Sequence, residues 1–306
     1  MLTAADVRRA VDLRALASEL DDSFRSYDGS GDAARTRAVL GNVTAMVLMP
    51  GIAASIPAYT VKVHAKNPAR TPAIGGVIAL HQLTSGHLLA IIDSGWLTNV
   101  RTALSAVSAT LRLARSNAAH VTLVGAGALG AAVLDQLLSA RPFQAATICD
   151  LDADRVARLL RDLRRRHPDV HLTAAVSADE PTPNTDVIVT ATWGTAPVLE
   201  ADTIRPGVHL TTLGTDEPGK CEVASTSRCD VLVVDDQALA NPVVGPATAT
   251  LSDVLRGDHP GRSSSDQVTR YSPVGLPMQD CVAAWHVYRN GRALGLGHPI
   301  NLTDTG

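Results

Sequence analysis

The run from Val121 to Asp150 restricts the possible folds more than any other part of this chain. A short apolar segment, Val121-Thr122-Leu123-Val124, leads into Gly125-Ala126-Gly127-Ala128-Leu129-Gly130. An alanine- and leucine-rich segment follows, and then Ala145-Ala146-Thr147-Ile148-Cys149-Asp150. In order this reads as strand, glycine turn, helix, strand and acidic stop. Gly125 permits the tight turn out of the strand, Gly127 lets backbone approach a pyrophosphate, and Gly130 lets the helix lie close on the sheet. The helix N-terminus, opening at Ala128 and Leu129, presents free N–H groups and a positive dipole end to phosphates. Asp150 lies about 20 residues beyond the last glycine, where a carboxylate can bind ribose hydroxyls. The pattern predicts a dinucleotide-binding unit. Leu151 and Asp152 follow with no adjacent arginine, and a second carboxylate repels a 2′-phosphate, so NAD is favoured over NADP.

Past Asp150 the alternation continues. A helix over Val156–Leu163 precedes strands at Asp186–Thr192, Val208–Leu213 and Val231–Val234, which implies a parallel sheet covered on both faces. The expected fold is α/β, a Rossmann-type doubly wound parallel sheet joined to an α+β substrate-binding and dimerisation domain. The domains are drawn as 1–115, completed by 280–306, and 116–279. With 306 residues the chain is long enough for two cores.

Before the glycine turn, residues 3–28 read as one helix with Thr3 as N-cap and an apolar stripe through Val7, Leu16 and Leu20. Ser26–Asp32 reads as a loop. Between Arg35 and Lys62 two β segments are expected, one ending at Pro50-Gly51 and one spanning Pro57–Val63. In the second, Tyr59, Val61 and Val63 share a face and Lys62 takes the other, which by itself reads as an exposed lysine on the solvent side. Residues 64–72 read as a loop, and Gly76–Leu80 with His87–Ile92 as a hairpin. Trp96 to about Arg115 forms a small-residue helix, within which Arg101 needs an anion or a carboxylate partner. A last helix starts near Asp280 and is expected to cross back to the first domain.

Composition excludes several classes. A net charge of −3 argues against an electrostatic nucleic-acid binder. The Arg164-Arg165-Arg166 run lies on a helix rich in both charges and reads as a solvated face. Four widely spaced cysteines suggest a reducing compartment and no metal site. No leader pattern and no spanning apolar run are apparent, so a cytoplasmic protein off the membrane is expected.

Five stretches together resemble the ornithine cyclodeaminase/mu-crystallin family. They are Tyr59-Thr60-Val61-Lys62, Leu97-Thr98-Asn99-Val100-Arg101-Thr102-Ala103, Gly125-Ala126-Gly127, Leu213-Gly214-Thr215-Asp216-Glu217-Pro218-Gly219-Lys220-Cys221-Glu222 and Val274-Gly275-Leu276-Pro277-Met278-Gln279-Asp280. They occur in family order and cover nearly the whole chain. The resemblance implies a homodimer, with NAD(H), acting on an amino, imino or keto acid by hydride chemistry at the α-carbon. It assigns the substrate carboxylate to Arg101 and Lys62, with Lys62 also able to act as an acid, and to an upstream arginine that is best matched by Arg37, with Arg35 the alternative. Thr71 matches a position near the substrate, and Thr102 and Lys220 match positions that look toward the cofactor. Asp216, expected at the C-terminal end of a strand, is placed to handle a proton.

One departure bears on the substrate. Where ornithine cyclodeaminases carry a glutamate for the distal ammonium, three residues before the proline, this chain has Val47. A buried ammonium without a carboxylate opposite it is costly. The expected activity is therefore an NAD(H)-dependent amino-acid dehydrogenase or imine reductase. The alternative is a cyclodeaminase that recycles NAD within each turnover. A non-catalytic, crystallin-like binding protein would be expected to have lost Lys62, Arg101 or Asp216, and all three are present.

Overall fold

A computed structural model describes residues 1–29, 36–40, 44–67, 69–177, 185–199, 201 and 204–300. The chain divides into two compact units, Met1–Arg101 with Leu276–Gly306, and Thr102–Gly275. The division falls inside a helix, α3 (Gly95–Leu113), rather than at its end.

The first unit opens with two helices where one was expected, α1 (Ala4–Ala10) and α2 (Leu13–Ser26). Thr3 caps α1 through a capping box with Asp6. Asp12 breaks the continuous helix because its carboxylate accepts from the Arg14 and Ala15 amides and so starts a second N-terminus. A five-stranded antiparallel sheet follows in sequential order: β1 (Thr36–Leu40), β2 (Thr44–Ile52), β3 (Ala58–Lys66), β4 (Ile74–Gln82) and β5 (Leu88–Asp93). Three strands thus replace the two segments expected before residue 66. β2 runs through Pro50-Gly51 instead of stopping there, and β3 takes in residues expected to be loop. The expected hairpin is β4 and β5. The last helix, α8 (Pro277–Ala293), starts with a proline in its first turn and lies against α1, α2, β2 and β3.

The second unit holds an eight-stranded sheet in which every pairing is parallel: β6 (His120–Val124), β7 (Ala145–Cys149), β8 (His171–Ala174), β9 (Val187–Thr190), β10 (His209–Thr212), β11 (Val231–Val234), β12 (Ala249–Thr250) and β13 (Thr269–Tyr271). Helices α4 (Ala128–Ala140), α5 (Ala153–Arg166), α6 (Gln237–Val244) and α7 (Leu251–Arg256) complete it. The spatial order is β12-β11-β13-β10-β9-β6-β7-β8. β9, β10 and β11 are buried along their whole length, as strands covered on both faces must be. On α5, Val156, Leu159, Leu160 and Leu163 are buried, while Arg164, Arg165 and Arg166 face solvent, as the charge pattern suggests. The sequence reading missed β8, β12 and β13, which are two to four residues long and carry no clear alternation.

Strand order reverses at β6, since β7 lies on one side of it and β9 on the other. In open α/β sheets this reversal, at the carboxyl ends of the strands, is where ligands bind.

Candidate active site

The second unit builds a nucleotide cradle at that switch point. Gly125 turns out of β6 with φ +101°, and a Cβ there would sit 2.5 Å from the Ala191 carbonyl oxygen beyond β9. Gly127 is the N-cap of α4, with no side-chain cap bond and nothing within 4 Å of a notional Cβ, so the amides of Ala128 and Leu129 stay accessible. At Gly130 a Cβ would lie 2.0 Å from the Gly125 carbonyl oxygen, so only glycine lets α4 approach the turn. Asp150 stands just past β7. Its carboxylate accepts from the Ala126 amide at 2.7 Å and from the Asp152 amide at 2.9 Å, which orders the turn and the acid together. The arrangement has the shape and polarity for a dinucleotide: glycines where backbone must approach, an uncapped helix N-terminus for phosphate and a carboxylate for ribose.

The sequence reading found no arginine adjacent to Asp150. In the structure Arg155, one turn into α5, reaches to 3.9 Å from the Asp150 carboxylate and is half-exposed. Asp150→Ala is expected to raise the Kd for NADH about tenfold or more while leaving NADPH within about threefold, because a lost pair of charge-assisted hydrogen bonds is worth about 1.5–3 kcal/mol. Fluorescence titration of each cofactor measures this. Equal losses for both would remove the basis for preferring NAD.

The carboxyl ends of β9 and β10 are joined by a residue not named as a site residue from sequence, Glu222. Fully buried, it accepts from the Thr190 hydroxyl, the Thr192 amide and hydroxyl, and the Gly214 amide, at 2.7–2.8 Å. Burial pushes its carboxyl above the usual range, against the pull of these donors. Gly214 is forced by the same contact, since a Cβ would lie 2.4 Å from Glu222 Oε1. Glu222 thereby anchors the loop that carries Asp216. Asp216 is partly buried and accepts from Lys220 Nζ at 2.7 Å, and that ammonium also lies 5.0 Å from the Trp193 ring centroid. Thr102, on α3, is half-buried.

In the first unit the largest departure from expectation concerns Lys62. It is fully buried rather than solvent-facing. β3 turns Ala58, Thr60, Lys62, His64 and Lys66 inward and leaves Val63 exposed, the opposite of what hydrophobicity alone predicts. α8 covers the polar face. Its start lies tight on β2, where a Cβ on Gly51 would lie 2.3 Å from the Pro277 carbonyl oxygen. That approach brings Asp280 to Lys62.

Asp280 Oδ1 accepts from Lys62 Nζ at 3.0 Å and from Arg101 Nε at 3.1 Å. Arg101 Nη1 also donates to Gln279 Oε1 at 2.9 Å, and the same oxygen accepts the Leu276 amide at 2.9 Å at the helix start. The partner that Arg101 required is thus Asp280. Sequence reasoning placed Asp280 inside a motif without assigning it a role; the available signal was Arg101, a guanidinium in an apolar helix that needs an anion or a carboxylate partner. Burial lowers Lys62 to about 8, partly countered by Asp280 and reinforced by Arg101. Burial alone would raise Asp280, but the Arg101 and Lys62 charges outweigh it and hold the carboxyl below its ordinary value. Asp280 Oδ2 is buried with no hydrogen-bond partner among the described residues. His64, on the same strand face, is buried with both ring nitrogens unpartnered, and burial with the Lys62 and Lys66 charges lowers it to about 3.

Arg37 lies on β1 in register with Val47, which pairs in turn with His64 on β3. Arg35 falls outside the described residues. Thr71 is exposed in the turn between β3 and β4. Val47 is fully buried and brings no charge. Among the described residues no group of three or more His, Cys, Asp or Glu is placed to hold a metal ion, and no helix is long and apolar enough to cross a membrane.

A glycine-turn cradle at the switch point of a parallel sheet, with a buried lysine–arginine–carboxylate cluster in the other unit, defines the class as a Rossmann-fold, dinucleotide-dependent protein of small-molecule chemistry. The chain belongs to the ornithine cyclodeaminase/mu-crystallin family, whose model matches residues 1–294. Alanine dehydrogenase of Archaeoglobus fulgidus is 25% identical over 98% of this chain and 97% of its own length. The structure of Thermococcus litoralis Delta(1)-pyrroline-2-carboxylate reductase with NADH and L-proline superposes with a TM-score of 0.91, at 23% identity, covering 98% of this chain and all of the other. An archaeal alanine dehydrogenase dimer with bound NAD superposes with a TM-score of 0.87, at 22% identity and 98% of both chains.

Proposed function

We propose that this protein is an NAD(H)-dependent oxidoreductase that acts at the Cα–N bond of an amino or imino acid. The observation that carries this reading is the buried Lys62–Asp280–Arg101 cluster in a chain whose relatives include an alanine dehydrogenase and a pyrroline-carboxylate reductase. The glycine turn would hold the pyrophosphate of NAD(H) and Asp150 a ribose, and the bound cofactor would supply or accept the hydride. Arg101, with Lys62 and Arg37, binds the α-carboxylate; the guanidinium forks suit a planar carboxylate. Lys62, whose proton is held only weakly, donates toward the developing amine or polarises the substrate. Asp280 keeps both cations oriented. Asp216 handles the proton of the amine, its carboxylate positioned by the hydrogen bond that it accepts from Lys220. Thr71 lies toward the substrate; Thr102 and Lys220 lie toward the cofactor.

Residues 1–115 with 280–306 make the substrate-binding and dimerisation domain, and residues 116–279 the dinucleotide domain. The protein is a cytoplasmic homodimer. The outward face of the first sheet supports dimerisation, because it exposes Ile52, Val63 and Val77, apolar side chains that another surface would be expected to cover. NAD is preferred to NADP, and neither nucleic acid nor membrane is a partner.

The test is NADH absorbance. NADH is offered with 2-oxo acids with and without ammonia or methylamine, and with cyclic imines; NAD is offered with L-amino acids, including ornithine and lysine. Consumption that depends on an oxo acid plus amine, or on an imine, is expected. Ammonia release from ornithine without net absorbance change, with proline formed at an ordinary enzymatic rate, would instead establish the cyclodeaminase. Val47 speaks against it, since nothing at that position offsets a distal ammonium.

A further inference from the structure

We propose that His64 reads the side chain of the substrate, and that the preferred substrate is an imino or 2-oxo acid bearing a second carboxylate. This rests on the oxidoreductase reading above and adds the substrate class.

His64 lies two residues beyond Lys62 on the inward face of β3, about 7 Å along the strand. If Lys62 and Arg101 hold the α-carboxylate, that spacing is within the reach of a four- or five-carbon diacid. The strands on either side leave the position to the imidazole. Its register partners are Val47, which offers no polar group, and Gly76, where a Cβ would lie 2.6 Å from His64 Cα and 2.8 Å from His64 Cβ.

His64 is only 5% exposed, and neither ring nitrogen has a partner among the described residues. A buried polar group left unpaired is costly, so a native protein that keeps one invites an explanation. A bound ligand that accepts from the ring N–H supplies the missing partner. The local field sets the sign of that ligand. Burial is the largest cause disfavouring protonation of the ring; among the charges acting on it, Lys62, Lys66 and Arg101 push the same way and Asp280 pushes the other. A field that discourages a proton on the imidazole also discourages an ammonium on the substrate and favours an anion. The neutral ring at pH 7 still has one N–H to donate to a carboxylate oxygen.

The experiment compares kcat/KM for NADH oxidation, with ammonia, for oxaloacetate and 2-oxoglutarate against pyruvate and 2-oxobutyrate. It uses the full-length protein, His64→Val and His64→Asn. Calorimetric binding of succinate gives a readout that needs no turnover. The expected result is a preference for the diacids of at least about tenfold. That ratio should fall by roughly 30-fold or more in His64→Val and by less in His64→Asn, which keeps an N–H donor. Succinate binding should weaken about tenfold or more in His64→Val. A wild-type preference for the monoacids, or a ratio unchanged within about threefold in His64→Val, would overturn the proposal and leave the oxidoreductase reading intact. If no compound in the full absorbance panel consumes NADH, the oxidoreductase reading fails, and succinate alone decides His64. Binding that weakens on substitution then sustains its anion-recognition role; absence of binding, or binding indifferent to substitution, ends the proposal.

Discussion

Asp280→Ala should cost about 3–5 kcal/mol of stability and lower the melting temperature by on the order of 10 °C, because it strips the counter-charge from two buried cations. Asp280 Oδ1 is shared by Lys62 at 3.0 Å and Arg101 at 3.1 Å, and all three side chains are at most 5% exposed. Removing a cation would leave Asp280 the other one. Removing the carboxylate leaves both cations facing each other in low dielectric, with Gln279 Oε1 able to accept from Arg101 but unable to neutralise it. Lys62, already lowered to about 8, can relieve part of the penalty by releasing its proton, so the loss should shrink as pH rises toward 9. Thermal melts at pH 6.5 and 9 check both the size and the trend. A melting temperature within about 2 °C of wild type at both pH values would mean that the cluster is not the structural unit described here.

Lys62→Met should do the reverse: keep the fold and lose the reaction. Methionine matches the length of the buried lysine stem and removes a charge that burial penalises. The direction follows from linkage. The folded pKa of about 8 lies below the ordinary 10.5, so the folded chain binds the proton less well than the unfolded chain does. The cost is fully present below about pH 8, and stability recovers as pH climbs from there toward 10.5. Lys62→Met should therefore melt no lower than wild type at neutral pH. Its turnover should fall about 10²–10⁴-fold, the range for losing a positioned acid. In wild type, kcat/KM for the reducing direction should decline above about pH 8 as Lys62 loses its proton. A variant that retains turnover with the same alkaline limb would assign the acid to another group.

Both predictions depend on a face of β3 that was read the wrong way round from sequence. Tyr59, Val61 and Val63 alternate with Thr60, Lys62 and His64, and strand periodicity identifies two faces without saying which one is covered. The apolar set would ordinarily be the core. Here the polar set is buried because α8, more than 200 residues later, lies over it and supplies Asp280. Likewise the need for a partner at Arg101 was legible from its apolar helix, but the identity of that partner was not. Glu222 stood inside a recognised motif with its role hidden, since its donors come from the ends of two separate strands.

The glycine turn with its flanking strand and helix, the parallel α/β alternation, the family and the candidate carboxylate-binding cations Lys62 and Arg101 were all legible in the sequence alone. Each rests on local spacing: glycines where backbone must approach backbone, apolar residues at strand or helix period, and charge types that suit a carboxylate. The tertiary structure alone decided that Lys62 is buried, that Asp280 is shared by two cations, that Arg155 comes near Asp150, and that His64 faces inward with neither nitrogen paired among the described residues. These depend on which surfaces meet when distant segments pack, and on the desolvation that follows. Local periodicity carries no record of either.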